Sequence, residues 1–135
     1  MKIAYPKYQI FKNRLKVYLF KDVQLVHTPI ESSIARVRNQ MQELGLLCPM
    51  VLDPHIDRIR SGTNRYIELK RQGYDGSLFY KPKHSTETEL FHHVNVRNFQ
   101  RHPVDNFDFI YDEDLKKFLK LCPDLLEEHA FKTVS

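Results

Sequence analysis

The sequence has no tryptophan, four glycines and two cysteines among 135 residues. Two cysteines, Cys48 and Cys122, cannot build a disulfide framework. Neither belongs to a Cys-x-x-Cys pair, and Cys48 stands directly before Pro49. Both are expected as free, buried thiols in a reducing compartment. No apolar run approaches the roughly 20 residues that a membrane-spanning helix needs. The opening residues, Met1-Lys2-Ile3-Ala4-Tyr5-Pro6-Lys7, lack the apolar core of a secretory leader, so a cytoplasmic location is expected. Internal repeats and low-complexity segments are absent. The most uneven absence is of negative charge. Residues 1–21 carry Lys2, Lys7, Lys12, Arg14, Lys16 and Lys21 with no carboxylate until Asp22. The whole chain holds 21 basic and 17 acidic residues, a formal net charge of +4. A segment of one sign can attract a polyanion, or it can simply be a solvated strand face.

With so few glycines, each marks a place in the chain. Lys12 to Phe20 alternates as a strand, and residues 22–26 read as a second extended piece. Ser32 or Ser33 offers a cap to a helix over residues 33–44. Its apolar stripe is Ile34, Val37, Met41 and Leu44, and Gly45 ends it. Pro49 forbids any continuation. Met50 to Leu52 is a short buried strand. Asp53-Pro54-His55 turns the chain into Ile56 to Arg60, completing a hairpin. A helix over residues 64–72 stops at Gly73, and Ser77 to Tyr80 returns as a strand. Beyond Lys81 the pattern weakens. Leu90 to Val96 reads as a strand or an irregular cover, and Pro103 breaks the polar stretch after it. Asp112 caps a helix whose face is Leu115, Phe118, Leu119 and Cys122. Pro123 interrupts it, with one more turn over residues 124–128. This order predicts one α+β domain over residues 1–135, with a small mixed sheet, packed helices and a helical C-terminal extension.

The stretch Ile59-Arg60-Ser61-Gly62-Thr63-Asn64-Arg65-Tyr66 organises the functional reading. It reads as a strand that ends in a tight turn and opens a helix. Gly62 allows a backbone shape that side chains resist, and Thr63 or Asn64 can cap the helix. Such a start gathers outward-facing amides at the positive end of a helix, and Arg60 and Arg65 add full charge. The turn is therefore a candidate phosphate site. Without the spacing of a Walker loop or a dinucleotide fingerprint, the same residues also describe a capped helix beside two solvated arginines.

Residues 23–80 resemble the ParB N-terminal-like, or ParB/sulfiredoxin, domain. The resemblance rests on a helix that ends at Gly45 shortly before Pro49, a short strand at Met50 to Leu52, the Gly-x-x-Arg turn Gly62-Thr63-Asn64-Arg65, and a helix that ends near Gly73 before a last strand. Residues 81–135 have no counterpart in it. The resemblance implies that the module handles a nucleotide, CTP or ATP, with Gly62, Thr63, Asn64 and Arg65 against its phosphates and Arg60 and Ser61 adjacent. Sulfiredoxin has Gly-Cys-His-Arg at this turn, so Thr63 removes the thiol nucleophile and that redox chemistry is not expected. Clamp-type ParB has Gly-Glu-Arg-Arg. Thr63 and Asn64 replace its acid and one arginine, which argues against CTP hydrolysis and clamp closure. The helix-turn-helix that follows in ParB finds no room in 135 residues, and site-specific centromere reading is not expected.

Around this turn the sequence offers further groups. Glu31, just before the first helix, lies near where some members of the family that the chain resembles carry a catalytic or metal-contacting acid. The resemblance makes it the candidate base or metal ligand, and with Asp53 or Asp57 it would hold magnesium beside phosphates. Equally, it is a carboxylate favoured at a helix start. The seven histidines show no paired metal spacing. His92 and His93 would face apart in a strand, leaving His84, His92 and His102 as the set that folding would have to bring together. Tyr5, Tyr8, Phe11, Tyr18 and Phe20 interleave with the N-terminal lysines, a pattern that suits stacked single-stranded nucleic acid or a strand core. The expected function is a nucleotide-phosphate-binding module acting with DNA or another polyanion, in a short form suited to a phage or mobile element. The alternatives are a non-catalytic protein-interaction module on the same fold and a small-molecule kinase. If the module is an enzyme, its reaction would be nucleotide hydrolysis, phosphoryl transfer or ParB-like nuclease chemistry.

Overall fold

Five strands form one mixed sheet in the computed structural model, which describes residues 1–7, 9, 11–26, 28, 30–101, 109–128 and 132–134. Its central strand is β5 (Gly76–Tyr80), and four of its five residues are buried. On one side β5 pairs antiparallel with β2 (Leu15–Leu19) along its whole length, from Leu15↔Tyr80 to Leu19↔Gly76. Each side of a strand accepts one neighbour at a time. The short parallel strands β1 (Ile3–Ala4) and β3 (Met50–Leu52) therefore share the other side in tandem, β1 at Gly76 and Ser77 and β3 at Phe79 and Tyr80. Outside β3, β4 (Ile59–Ser61) runs antiparallel. Gly76 lets β2 draw in, because a Cβ there would sit 2.5 Å from the Tyr18 carbonyl oxygen.

The sheet is covered on both faces, and strand alternation divides its side chains. Met50, Leu52 and Phe79 point into a core shared with Phe20, Tyr66 and Leu69, under α1 (Glu31–Leu44) and α2 (Thr63–Arg71). Val51 and Tyr80 point the other way, onto Phe11, Phe91, Phe118 and Leu125. That second core lies under α3 (Ser85–Arg101) and α4 (Asp112–Leu121). Tyr80 stacks on Phe91 with centroids 3.9 Å apart. Phe11 adopts a left-handed conformation, φ 55°, and is fully buried against Tyr80, Phe91 and Phe118, which compensates the strain. A small parallel pair, β6 (Phe109–Tyr111) and β7 (Lys132–Val134), stands apart from the main sheet.

A buried polar network ties the second layer to the sheet. Glu87 of α3 is fully buried and accepts from Arg14 Nε at 2.8 Å, Tyr80 OH at 2.6 Å and the Lys83 amide at 3.0 Å. The Cys122 thiol adds a fourth contact at 3.3 Å. Both Nη atoms of Arg14 reach the Asp124 carboxylate, at 2.6 and 3.1 Å. Burial works against the Arg14 charge, but Asp124 and Glu87 more than restore it, so its pKa stands raised. Burial, with Glu87 beside it, likewise raises the Tyr80 hydroxyl.

Several sequence expectations need revision. Residues 12–14 and 20–22 form 3₁₀ turns, so the strand expected from Lys12 to Phe20 shrinks to β2. The extended piece at 22–26 contributes only a parallel bridge, Gln24↔Arg58. Neither Ser32 nor Ser33 caps α1, which begins at Glu31 after Ile30 with no side-chain cap. The hairpin strand starts at Ile59, because Lys81 holds residues 53–57 in a loop through the Asp53 carbonyl and the Asp57 carboxylate. Residues 90–96 belong to helix α3, not to a strand or irregular cover. β1 was not foreseen. Gly45, at φ 77°, does end α1. Helix α4 starts at Asp112 itself, which is therefore its first residue and not the cap expected before it, and a 3₁₀ turn at Pro123–Glu128 follows. Tyr8, His27, His102, Pro103 and His129 lie outside the described residues. No described helix is long and apolar enough to cross a membrane.

Candidate functional site

β4 carries the chain along the sheet edge to Gly62, and α2 begins at the next residue. Gly62 itself is the residue before the helix, with φ 111° and ψ 19°. Neither Thr63 nor Asn64 caps, contrary to expectation, because the helix has already started at Thr63. No side chain caps this end, and the first main-chain bond of the helix runs from the Tyr66 N–H to the Gly62 carbonyl, 2.9 Å. The N–H groups of Thr63, Asn64 and Arg65 come before that bond, so their partners must come from outside the helix. Glycine at 62 also has a packing reason. A Cβ would lie 2.4 Å from Met50 Cγ and 3.0 Å from Arg65 Nη2.

That last distance places the Arg65 guanidinium against the turn. Its Nη1 donates to the Cys48 carbonyl at 2.7 Å, which fixes it there, and no described carboxylate pairs with it. Burial lowers its pKa, as expected of a cation held without a counter-charge. A guanidinium stays charged regardless, so its field is uncompensated locally. Cys48 is buried and free, and burial pushes its thiol up to about 12. Its contribution here is its carbonyl, not its sulfur.

The other expected residues are divided. Ser61, Thr63 and Asn64 are half-buried around Gly62. Arg60, two residues before Gly62, turns toward α3 and holds Glu89 through Nε at 2.8 Å and Nη2 at 2.7 Å. Glu31 is not brought to the turn. It pairs with Arg71 at the opposite end of α2, at 2.7 and 3.1 Å. Eight residues separate Arg71 from Thr63, about 12 Å along the helix axis. Arg71 holds the Glu31 pKa below the usual range. Asp53 is bound to Arg58 at 2.7 Å and Asp57 to Lys81 at 3.0 Å. Among the described residues no cluster of three or more metal-ligating side chains exists, so the carboxylates considered for magnesium do not fit a side-chain cage for it. Phe11 and Phe20, read as candidates for base stacking, are core residues. His92 lies on α3 with Nδ1 buried and without a partner.

Sequence reasoning missed the Cys48 carbonyl and Glu89, which hold the two arginines of the turn. Neither leaves a local signal, since they lie 17 and 29 residues from their partners. It also missed a cleft of about 440 Å³ at the other end of α2, lined by Leu19, Phe20, Lys21, Lys70 and Tyr74 among others.

No family model and no curated protein matches the chain. Solved structures similar to it in fold include two ParB proteins. One is the C-terminally truncated chromosome-partitioning protein ParB from Caulobacter crescentus in complex with CTP-gamma-S. It has a TM-score of 0.44 and 15% identity, covering 70% of this chain and 56% of that one. The other is a Pnob8-like ParB-N domain, with a TM-score of 0.42 and 17% identity, covering 86% of this chain and 47% of that one. The chain spans about half the length of the structures it matches. The likeness to ParB N-terminal domains extends over most of this chain at low sequence identity, and it is a likeness of fold.

Proposed function

We propose that this protein binds the phosphates of a nucleotide at the start of α2 and acts with DNA or another polyanion. The observation that carries the reading is Arg65. A half-buried guanidinium with no described carboxylate partner is anchored beside the uncapped first turn of a helix. An oxyanion there would accept from main-chain amides and from the unspent side of the guanidinium, and it would supply the missing counter-charge. Ser61 and Thr63, the chain neighbours of Gly62, carry hydroxyl groups, and Arg60 is available at the price of its exposed pair with Glu89. Any divalent ion would come with the phosphates, since no side-chain cage for one is present among the described residues.

The test is a binding series with CTP, ATP, ADP and GTP, followed by thermal shift and calorimetry. Arg65→Lys keeps the charge and loses the fork. Losing one charge-assisted hydrogen bond corresponds to about 1.5–3 kcal/mol, roughly ten- to a hundredfold in affinity. Asn64→Asp is the sharper variant. A carboxylate in the first turn suits the helix dipole, so stability should hold or rise while phosphate is repelled. Saturable binding that is lost in a stable Asn64→Asp protein supports the reading. Binding indifferent to both substitutions, or no nucleotide binding, overturns it and leaves the interaction module. Phosphate transfer to a hydroxyl substrate would instead establish the kinase.

A further inference from the structure

The outer edge of the sheet at β2 is a second candidate surface, at the opposite side of the sheet from the α2 turn. β2 pairs with β5 along its inner side, and no described strand lies beyond it. An outer strand of five residues presents a row of main-chain donors and acceptors. Lys16 and Val17 in its middle are exposed, Val17 at 47%. Lys12 before the strand and Lys21 after it are exposed too. None of these three lysines is in an ion pair with a described carboxylate. The remaining cation of the stretch, Arg14, is spent inward on Glu87 and Asp124.

Charge decides which occupant fits. A second copy of this chain would set lysines of one strand against those of the other, and like charges across a strand pair are destabilising. A basic or neutral segment gains nothing from the lysines, which then act only as guards against aggregation. A segment with carboxylates meets three ammonium groups and finds an open ladder to pair with. We propose that the outer edge of β2 takes an extended acidic peptide segment as an added strand, held main chain to main chain, with its carboxylates on Lys12, Lys16 and Lys21.

The experiment uses the full chain, labelled with ¹⁵N, and a capped peptide of alternating Glu and Val as probe. Amide shifts should centre on Leu15–Leu19, and hydrogen exchange there should slow at alternate residues. Binding should weaken roughly tenfold in a Lys16→Glu/Lys21→Glu variant, equivalent to about 1.4 kcal/mol, and should fall with added salt. A peptide N-methylated at alternate amides should not bind. Equal binding by a Lys-Val peptide, no saturable shift at β2, or an edge that prefers a short oligothymidylate would each overturn the proposal. Nucleotide binding at α2 is measured separately, so either site can fail alone.

Discussion

Two glycines with the same sign of φ fail for different reasons when each becomes alanine. Gly45 has open space around it, so Gly45→Ala meets only a backbone cost, about 1–3 kcal/mol, because φ 77° with ψ −171° is a region essentially reserved for glycine. Gly62 is left-handed, which costs alanine about 1–2 kcal/mol, and Gly62→Ala also drives a methyl into Met50. Overpacking adds about 1–3 kcal/mol, so a loss of roughly 3 kcal/mol in urea unfolding is expected. A loss of no more than about 1–2 kcal/mol would show that Met50 moves aside freely. The two thiols make a second case at this scale. Burial is the main cause that raises Cys48 to about 12 and Cys122 to about 11. Both should resist a thiol reagent at pH 8 until the protein is unfolded. Rapid labelling of either in the native state would contradict the described packing.

Among the elements, the ones announced by their own residues were legible. α1 has an apolar stripe and a glycine stop, the β3–β4 hairpin has its Asp-Pro turn, and α2 runs between Gly62 and Gly73. α3 was misread for a physical reason. Its run Leu90 to Val96 carries Phe91, Val94 and Val96, residue types that favour strands, but what fixes its conformation lies elsewhere in the chain. Phe91 is stacked on Tyr80, and Glu87 is pinned by Arg14, 73 residues away. β1 has only two residues and exists because β5 offers it a partner. For the site, the turn and its arginine were readable, whereas the partners that orient Arg65 and Arg60 were not. Arg14 is where this dependence between elements can be measured. Glu87→Gln keeps the shape but removes the buried one of the two carboxylates that balance Arg14, leaving Asp124. Breaking such a pair typically costs about 3–5 kcal/mol. The unfolding midpoint should drop, with chemical-shift changes in both α3 and β5. Changes confined to α3 would mean that the network does not join the two.

For the molecule as a whole, acid is the informative variable. The Asp124 carboxyl is held well below its usual range, first by its hydrogen bonds with Arg14. A pKa depressed by folding gives stability that is complete above the unfolded value, about 3.9, and is lost as pH falls through the folded one. Unfolding midpoints should therefore decline below about pH 4. Asp124 is 42% exposed, so solvent reduces the size of its share. Asp124→Asn should lower stability at neutral pH and flatten the acid decline. An unchanged acid limb in that variant would assign the decline to other carboxylates.

The contact between Arg14 and Asp124 closes a loop of 110 residues. Synthesis proceeds from the N-terminus, so the guanidinium leaves the ribosome long before its acid has been made. Until then the half of the sheet that faces α3 and α4 has nothing to rest on, and Phe11 and Tyr80 remain wet. Secondary structure on the α1 side can form early, but final closure waits for Phe118 to Leu125, as contacts this distant in sequence slow folding generally. During that interval a nascent chain would be unusually dependent on whatever shelters its aromatic residues from one another's copies.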